Sequence, residues 1–408
     1  MATAILSASS GAGSPLRNRY FRLLWAGRAI SALGDQCYLV ALPWLILQLT
    51  NSGVALGTVM MTGAIPMVVL MLLGGVLSDR FSARRILIVT TSARTVCVAA
   101  IGALVALHAV ALWQIYLLAL AFGIADAFAM PASQTLIPSI VDREQLPAAN
   151  SITQGTQQLT TIVGPAPAGL IVKSLGTAWA FFIDAVSFLF VIAALWRLPD
   201  PPATAAAKAR TGVLPAIVEG LRYINADVAM RSLLLVAGAL NFCVAGPVSI
   251  GLAWIAKQHF GSPIAFSVFV ASVAAGGLAG AIAAGVYKPR KRGVLMLSVS
   301  VLIALGTALL GVVNQVWSLS AVLFAMGAAS GFLNVHIVAW FQRRVDRDML
   351  GRAMSVIMLA AVGLQPFSLA IAGIAVTWSV AGMFAGAAAL LLLITTLAAL
   401  HEPVREIQ

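Results

Sequence analysis

The sequence predicts an all-α polytopic membrane protein, with twelve transmembrane helices in two pseudo-symmetric six-helix bundles, and three observations predict it. Hydrophobic residues make up 61% of the chain and charged residues only 9%, whereas a soluble domain carries about 25% charged residues. Lipid is therefore the solvent for most of the chain. Apolar runs of the length a bilayer core demands, about 20 residues each, occur twelve times. Finally, Val141-Asp142-Arg143-Glu144 returns half a chain later as Val345-Asp346-Arg347-Asp348, with Leu146 and Leu350, Ala149 and Ala353, and Ser151 and Ser355 in the same register.

The elements follow in order. Met1 to Pro15 is rich in Ser, Ala and Gly and lacks a basic stretch ahead of an apolar one, so it reads as an uncleaved cytoplasmic tail. The first six spans are expected at 20–49, 54–77, 85–107, 112–137, 148–172 and 177–197. They are read as helices because lipid leaves only helices and closed barrels viable, and none of the runs shows the alternation of a barrel strand. Leu198 to Thr211, rich in Pro, Ala and charge, reads as a linker. Leu214, Ile217, Val218, Leu221 and Ile224 then recur at helical spacing, with Glu219, Arg222 and Asn225 between them. That pattern predicts a short amphipathic helix on the cytoplasmic face. Six further spans are expected at 229–256, 263–286, 293–313, 317–341, 350–376 and 378–400. The predicted organisation is thus an N-terminal bundle over 1–197, a connector over 198–228 and a C-terminal bundle over 229–408. Each copy of the repeat joins a fourth span to a fifth, and such repeated halves place a substrate site between them near the membrane midplane.

The net charge of +12 is explained by topology. Basic residues crowd the side shared with the N-terminus, from Arg17, Arg19 and Arg22 through Arg84, Arg85 and Arg143 to Arg343, Arg344, Arg347 and Arg405; the opposite loops offer Lys173 and Lys257. The positive-inside rule then puts both termini in the cytoplasm. Anionic lipid headgroups are the expected partner of this charge, and nucleic acid is not. The three cysteines, Cys37, Cys97 and Cys243, lie in apolar runs and form neither a disulfide framework nor a metal-ligand spacing. No G-x-x-x-x-G-K-(S/T) loop occurs, which argues against an ATP-driven pump. No catalytic cluster stands out either, so neither an enzyme, a cofactor nor a metal is expected.

Between the second and third spans stands Gly74-Gly75-Val76-Leu77-Ser78-Asp79-Arg80-Phe81-Ser82-Ala83-Arg84-Arg85. This run resembles motif A of the major facilitator superfamily. The resemblance implies the major facilitator fold, with Gly75, Asp79, Arg80, Arg84 and Arg85 in a conformational latch. Asp79 would pair with Arg80 and with the positive start of the eleventh span near Arg352. On the fifth span, Gly164-Pro165-Ala166-Pro167-Ala168-Gly169 is similar to the antiporter motif associated with exporters, with Gly164, Pro165 and Gly169 matching and Ala168 departing from it. Its other reading is a packing kink. Shorter runs resemble the drug:proton antiporter branch that holds macrolide efflux pumps and the enterobactin exporter. They are Ser31-Ala32-Leu33-Gly34-Asp35, Pro131 before Leu136-Ile137-Pro138, and Ala149-Asn150-Ser151.

An ionisable group at the bilayer centre costs about 2.5–3.5 kcal/mol on insertion scales, so each needs a reason. Four stand well inside the spans: Asp35, Arg94, Asp126 and Asp184. Helical rise puts Asp126 and Arg94 at a matching depth of roughly 14–17 Å from the cytoplasmic side, so they are expected to pair, and Asp35 at roughly 22 Å. In the family, spans 1, 4, 7 and 10 line the cavity and spans 3, 6, 9 and 12 are outer scaffold. Asp35 is accordingly the leading proton-coupling candidate, with Asp126 and Arg94 the second; structural hydrogen bonding or a fixed ion pair is the other reading of each. Asp184 reads as structural. Tyr38, Phe122, Gln154, Gln157, Asn241 and His336 are the candidates for the substrate cavity. Asn150, Gln154, Gln157 and Thr161 form a polar stripe that lines a pathway or joins helices.

The expected activity is secondary export of an amphipathic small molecule, a drug or siderophore-like compound, by alternating access. The proton motive force is the expected energy source, and the partners are substrate, protons and membrane lipid. A monomer in the bacterial inner membrane is expected. A lysophospholipid or lipid-like flippase and a non-transporting ligand sensor are the alternatives.

Overall fold

Helix is the only regular structure among the described residues of the computed structural model, which are 14–78, 82–199, 213–287, 289, 291–346 and 349–407. After a 3-10 turn at Pro15–Arg17 come α1 (Arg19–Thr50), α2 (Gly53–Ser78), α3 (Ala83–Ala106) and α4 (Leu112–Ile140). A second 3-10 turn, Arg143–Gln145, leads to α5 (Leu146–Val163), α6 (Pro165–Ser174) and α7 (Thr177–Arg197). The connector helix is α8 (Val213–Ala226). Then follow α9 (Val228–Gln258), α10 (Pro263–Val286), α11 (Arg292–Leu310), α12 (Val316–Arg344), α13 (Leu350–Val362), α14 (Gln365–Trp378), α15 (Val380–Leu400) and the short α16 (Glu402–Arg405).

Ten of the predicted spans are single helices. The fifth is divided into α5 and α6 at Gly164, and the eleventh into α13 and α14 at Gly363 and Leu364. Among the described residues, eleven stretches are long and apolar enough to cross a membrane. The fifth predicted span is the one outside that set, since α5 carries Asn150, Gln154 and Gln157 among its 18 residues. Prolines 43, 66, 131, 138 and 247 lie inside helices, which membrane helices tolerate where neighbours and waters satisfy the freed carbonyls.

Contacts divide the chain into two units. The first draws its described residues from Met1–Leu42 and Ile65–Lys208, the second from Pro43–Ala64 and Ala209–Gln408. In the first, α3 packs along α4 and α7 over a core of Leu24, Leu87, Ala132, Leu136, Leu195 and Leu198. Arg84 closes the end of α7, its Nε donating to the Leu195 carbonyl at 2.7 Å and a terminal nitrogen to that of Trp196 at 3.0 Å. A cation belongs there, because the last carbonyls of a helix lack partners and carry its negative pole. Asn18 caps α1 by accepting from the Tyr20 amide at 2.9 Å, and its Nδ2 donates to the Ile140 carbonyl at 2.7 Å.

In the second unit the same corner is built with charge. Asp227 caps α9, accepting from the amides of Ala229 (2.8 Å) and Met230 (3.2 Å), while Arg344 at the end of α12 donates to its other oxygen at 2.9 Å. The repeat keeps its burial pattern as well: Val141 and Val345, and Ala149 and Ala353, are buried, whereas Ser151 and Ser355 are exposed. The amphipathic α8 packs on α13. A Cβ on Gly220 would lie 2.7 Å from the Arg352 carbonyl oxygen. Glu219 pairs with Arg352, and the Tyr223 hydroxyl donates to Asp346 at 3.0 Å.

Residues 43–64, which chain order assigns to the first bundle, group by contact with the second unit. The reason is a glycine-lined approach: a Cβ on Gly57 would stand 2.8 Å from the Gly373 Cα of α14. Gln258 adds a 2.6 Å hydrogen bond from Nε2 to Asn51 Oδ1. Extensive close packing joins α10 and α12. Gly276 and Gly280 on one helix and Gly327 and Gly331 on the other sit against the partner's backbone carbonyls, with no room for a side chain. Paired small-xxx-small spacing brings two backbones together in lipid, where association relies on van der Waals contact.

Two outcomes follow. Gly280→Leu drives its side chain into the Ala328 carbonyl, and a thermal unfolding scan of purified protein will show a lower midpoint than Gly285→Leu, at a glycine facing open space. Asp227→Ala removes a cap worth about 1 kcal/mol. Burial opposes ionisation of Asp227, but the Arg344 hydrogen bond and the two amides hold its carboxyl below the ordinary range. Its contribution is therefore complete above about pH 4 and fades as pH falls through the lowered folded value. Asp227→Asn will keep the cap and lose this acid-side dependence in an unfolding series from pH 6 downward.

Candidate functional site

Six helices of the first unit converge on one cavity of about 820 Å³, α2 through Met67, α7 through Phe188 and Val191, and four others through longer stripes; the volume is within the roughly 300–1,000 Å³ of small-molecule sites. From α1 come Arg28, Ser31, Ala32 and Asp35, and from α3 come Leu87, Thr91 and Arg94. Helix α4 supplies Asp126, Ala129, Met130, Ser133, Gln134 and Ile137; α5 supplies Asn150, Thr153, Gln154 and Gln157. Each set repeats at three- and four-residue steps, so each is a single stripe of its helix. The α5 stripe thus lines a cavity for three of its four expected members. Thr161 does not reach it and donates instead to the Gln157 carbonyl at 2.9 Å.

Arg94 organises the charges. One terminal nitrogen donates to Asp35 Oδ1 at 2.8 Å, and the other lies 3.5 Å from Asp126 Oδ1. The guanidinium stands between two rings, 4.7 Å from the Phe122 centroid and 4.5 Å from that of Phe188. A planar, weakly hydrated cation suits such a position. The side chain of Arg94 is 17% exposed and those of Asp35 and Asp126 are 38% and 35% exposed. The carboxylates therefore open to the cavity, with the arginine behind them.

This differs from the expectation of an Asp126–Arg94 pair with Asp35 apart, at another depth. Axial rise measures where a Cα lies, and a long flexible arginine stem spans the difference between turns. Scaffold assignment is also revised: α3 and α7, the third and sixth spans, contribute Arg94 and Phe188 to the wall. Tyr38 and Phe122, expected in the cavity, form a stacked pair with centroids 4.8 Å apart behind Arg94 and are not among the lining residues. Asn241 and His336 belong to the other unit. Asn241 donates to the Ala237 carbonyl of its own helix at 3.0 Å. His336 lies against Phe332, centroids 4.5 Å apart, with its Nε2 buried and unbonded among the described residues.

Asp184 is fully buried behind α1, where a Cβ on Gly34 would be 2.9 Å from its Oδ1. It does not open to the cavity. The opposite face of α1, with Ile30, Leu33, Gly34 and Cys37, lines a separate apolar crevice with Trp179 and Phe182. Gly164 stands at the α5–α6 joint against Gln36 of α1, where a Cβ would also meet the Thr160 carbonyl oxygen at 2.5 Å. Pro165 opens α6 and Gly169 is buried within it. Of the latch candidates, Asp79 and Arg80 lie outside the described residues, and Gly75 lies in helical backbone near the end of α2. Arg84 makes the α7 closure described above, Arg85 is exposed at the start of α3, and Arg352 is paired with Glu219.

Arg28 was not among the expected site residues. Its signal was available, because it lies inside the first predicted span, seven residues from Asp35 and so on the same helical face.

The charge arrangement predicts a non-additive mutant set. Removing one partner of a buried pair is costly, whereas removing the whole set is not. Arg94→Gln alone is expected to cost about 3 kcal/mol, the lower end of the range because both carboxylates are partly exposed. Asp35→Asn/Arg94→Gln/Asp126→Asn will recover most of that in thermal or denaturant unfolding.

Residues 10–408 match the family described as transmembrane secretion effector. The chain is 29% identical over 343 residues to the enterobactin exporter EntS of Escherichia coli, covering 81% of this chain and 79% of that one. Macrolide efflux protein A of Streptococcus pyogenes is 25% identical over 354 residues, 82% of this chain and 84% of that protein. The multidrug efflux pump Tap of Mycolicibacterium fortuitum is 31% identical over 229 residues, 54% of this chain and 55% of the pump, so that match spans about half of each. Among solved structures, the nucleoside transporter NupG superposes with a TM-score of 0.73 at 13% identity, covering 94% of this chain and 100% of that one. A bacterial homologue of the iron transporter ferroportin, in its inward-facing state, gives 0.69 at 16% identity, covering 95% and 100%. These two likenesses establish the fold.

Proposed function

The chain belongs to the transmembrane secretion effectors of the major facilitator superfamily, and from that premise we propose that it is a proton-coupled secondary exporter of amphipathic small molecules working by alternating access. The observation that carries the coupling is one arginine shared by two carboxylates at the wall of an open cavity. Proton uptake by Asp35 or Asp126 removes the charge that Arg94 holds and weakens the pair, so occupancy of the carboxylates changes how α1, α3 and α4 are tied. A hydrogen-bond donor on the substrate that competes for the same carboxylates displaces the proton. That exclusion is what antiport requires, since a ligand shifts an equilibrium only through differential affinity for its states.

Export as the direction is supported by the names of the relatives, two efflux proteins and an exporter, and by the Gly164-Pro165 joint. The size of the cavity and its mix of Met67, Met130 and Phe188 with amide side chains suit an amphipathic molecule. The distribution of Lys and Arg supports both termini lying in the cytoplasm, and the bacterial sources of the relatives support placement in a bacterial inner membrane.

Purified wild-type protein, titrated with a macrolide and a catecholate panel in weakly buffered solution, is expected to release protons on binding. In proteoliposomes, Asp35→Asn will lose export driven by a pH gradient while still exchanging substrate down its own gradient. Unchanged gradient-driven export by that variant removes Asp35 from the coupling role.

A further inference from the structure

The two arginines of the cavity are not equivalent. Arg94 is committed: two carboxylates take its terminal nitrogens and two phenylalanine rings lie against it, although its buried Nε has no partner among the described residues. Arg28 lines the same cavity yet has no carboxylate within ion-pair distance and no hydrogen bond from its side chain among the described residues. It lies about 10 Å from Asp35 along α1, toward the cytoplasmic end. The groups that line the cavity with it from α5 are Asn150, Gln154 and Gln157. These are neutral donors and acceptors, none of which neutralises a guanidinium. Trp25, one turn earlier on α1, is fixed by its indole N–H donating to Thr156 Oγ1 of α5 at 2.9 Å, which holds an apolar wall beside the charge.

We infer that Arg28 is the recognition point for a negatively charged group on the transported molecule, making the substrate class an amphipathic organic acid rather than a simple cation. The chemistry follows from the pieces. A guanidinium with its fork open matches a carboxylate through two parallel hydrogen bonds. A half-buried cation without an ion-pair partner among the described residues carries a partial desolvation cost that an arriving anion relieves. The apolar body of the ligand then lies toward Met67, Met130 and Phe188, which line the same cavity. An inside-negative membrane potential also favours outward movement of an anion. This inference rests on the exporter reading above and specifies the ligand of the same cavity.

The test is equilibrium binding rather than transport, so it is separable from coupling. Dansylglycine and its uncharged amide are titrated by fluorescence into purified full-length protein in neutral detergent. Wild type is expected to prefer the acid by about tenfold, equivalent to about 1.4 kcal/mol, and that preference will decline with added salt. Arg28→Gln will bring the acid-to-amide ratio to near one, and Arg28→Lys, which keeps the charge without the fork, will retain part of it. A wild type with no preference for the acid overturns the inference even if Arg28→Gln does not fold. So does an Arg28→Gln variant whose ratio equals that of wild type. Competition by phosphatidylglycerol micelles that abolishes the wild-type preference while free phosphate does not would reassign Arg28 to a lipid headgroup and likewise overturn it. If acid preference holds while Asp35→Asn still exports normally, the proton-coupling reading has failed and the anion site stands.

Discussion

No water reaches the backbone within the hydrocarbon of a membrane, and everything else in this protein is arranged under that constraint. Each peptide group must find its partner inside its own segment, which makes helix the only regular structure among the described residues. Helices in lipid then lack the hydrophobic drive that assembles soluble cores. They associate where backbones come within van der Waals range, and this explains the glycines. Gly276 and Gly280 meet Phe324 and Ala328, Gly327 and Gly331 meet Val273 and Gly277, and Gly57 meets Gly373. At helix ends, where the intrasegment supply of partners stops, side chains take over: Asn18 and Asp227 at two amino termini, Arg84 at a carboxyl terminus.

The same constraint concentrates the chemistry. Polar and charged side chains of α1, α3, α4 and α5 form stripes that face one cavity. What results is a cavity whose charges are few and interdependent. Arg94 is the hinge of that arrangement, since its charge is what allows two carboxylates to remain close together in a medium of low dielectric constant. Its packing between Phe122 and Phe188 limits where it can go when one carboxylate changes state. Arg28, by contrast, has no ion-pair or hydrogen-bond partner for its side chain among the described residues. One arginine is built into the protein, and the other faces the contents of the cavity.

The pseudo-symmetry of the chain illustrates how duplicated architecture diverges. The corner formed by the start of one helix and the end of another is closed by a neutral amide in one unit, through Asn18 and Ile140, and by an ion pair in the other, through Asp227 and Arg344. Geometry is retained because helix ends always need caps; chemistry is free to vary because either side chain can provide one. The charged residues that line the cavity, Arg28, Asp35, Arg94 and Asp126, all come from the first unit.

The order of helices, the connector with its amphipathic helix, and the family were legible from apolar runs, the half-length repeat and the Gly74–Arg85 motif, because lipid filters composition so strongly that spans stand out in one dimension. Depth along each helix was legible too, and it singled out Asp35, Arg94 and Asp126. It misjudged how they combine, since rise per residue says nothing of rotation, tilt or the reach of a side chain. It also passed over Arg28, which a seven-residue spacing would have linked to Asp35. The division of the fifth span at Gly164, the grouping of residues 43–64 with the second unit, and the retreat of Tyr38 and Phe122 behind Arg94 were decided only in three dimensions. Each depends on which neighbour a surface meets, and a neighbour far away in sequence is supplied by packing alone.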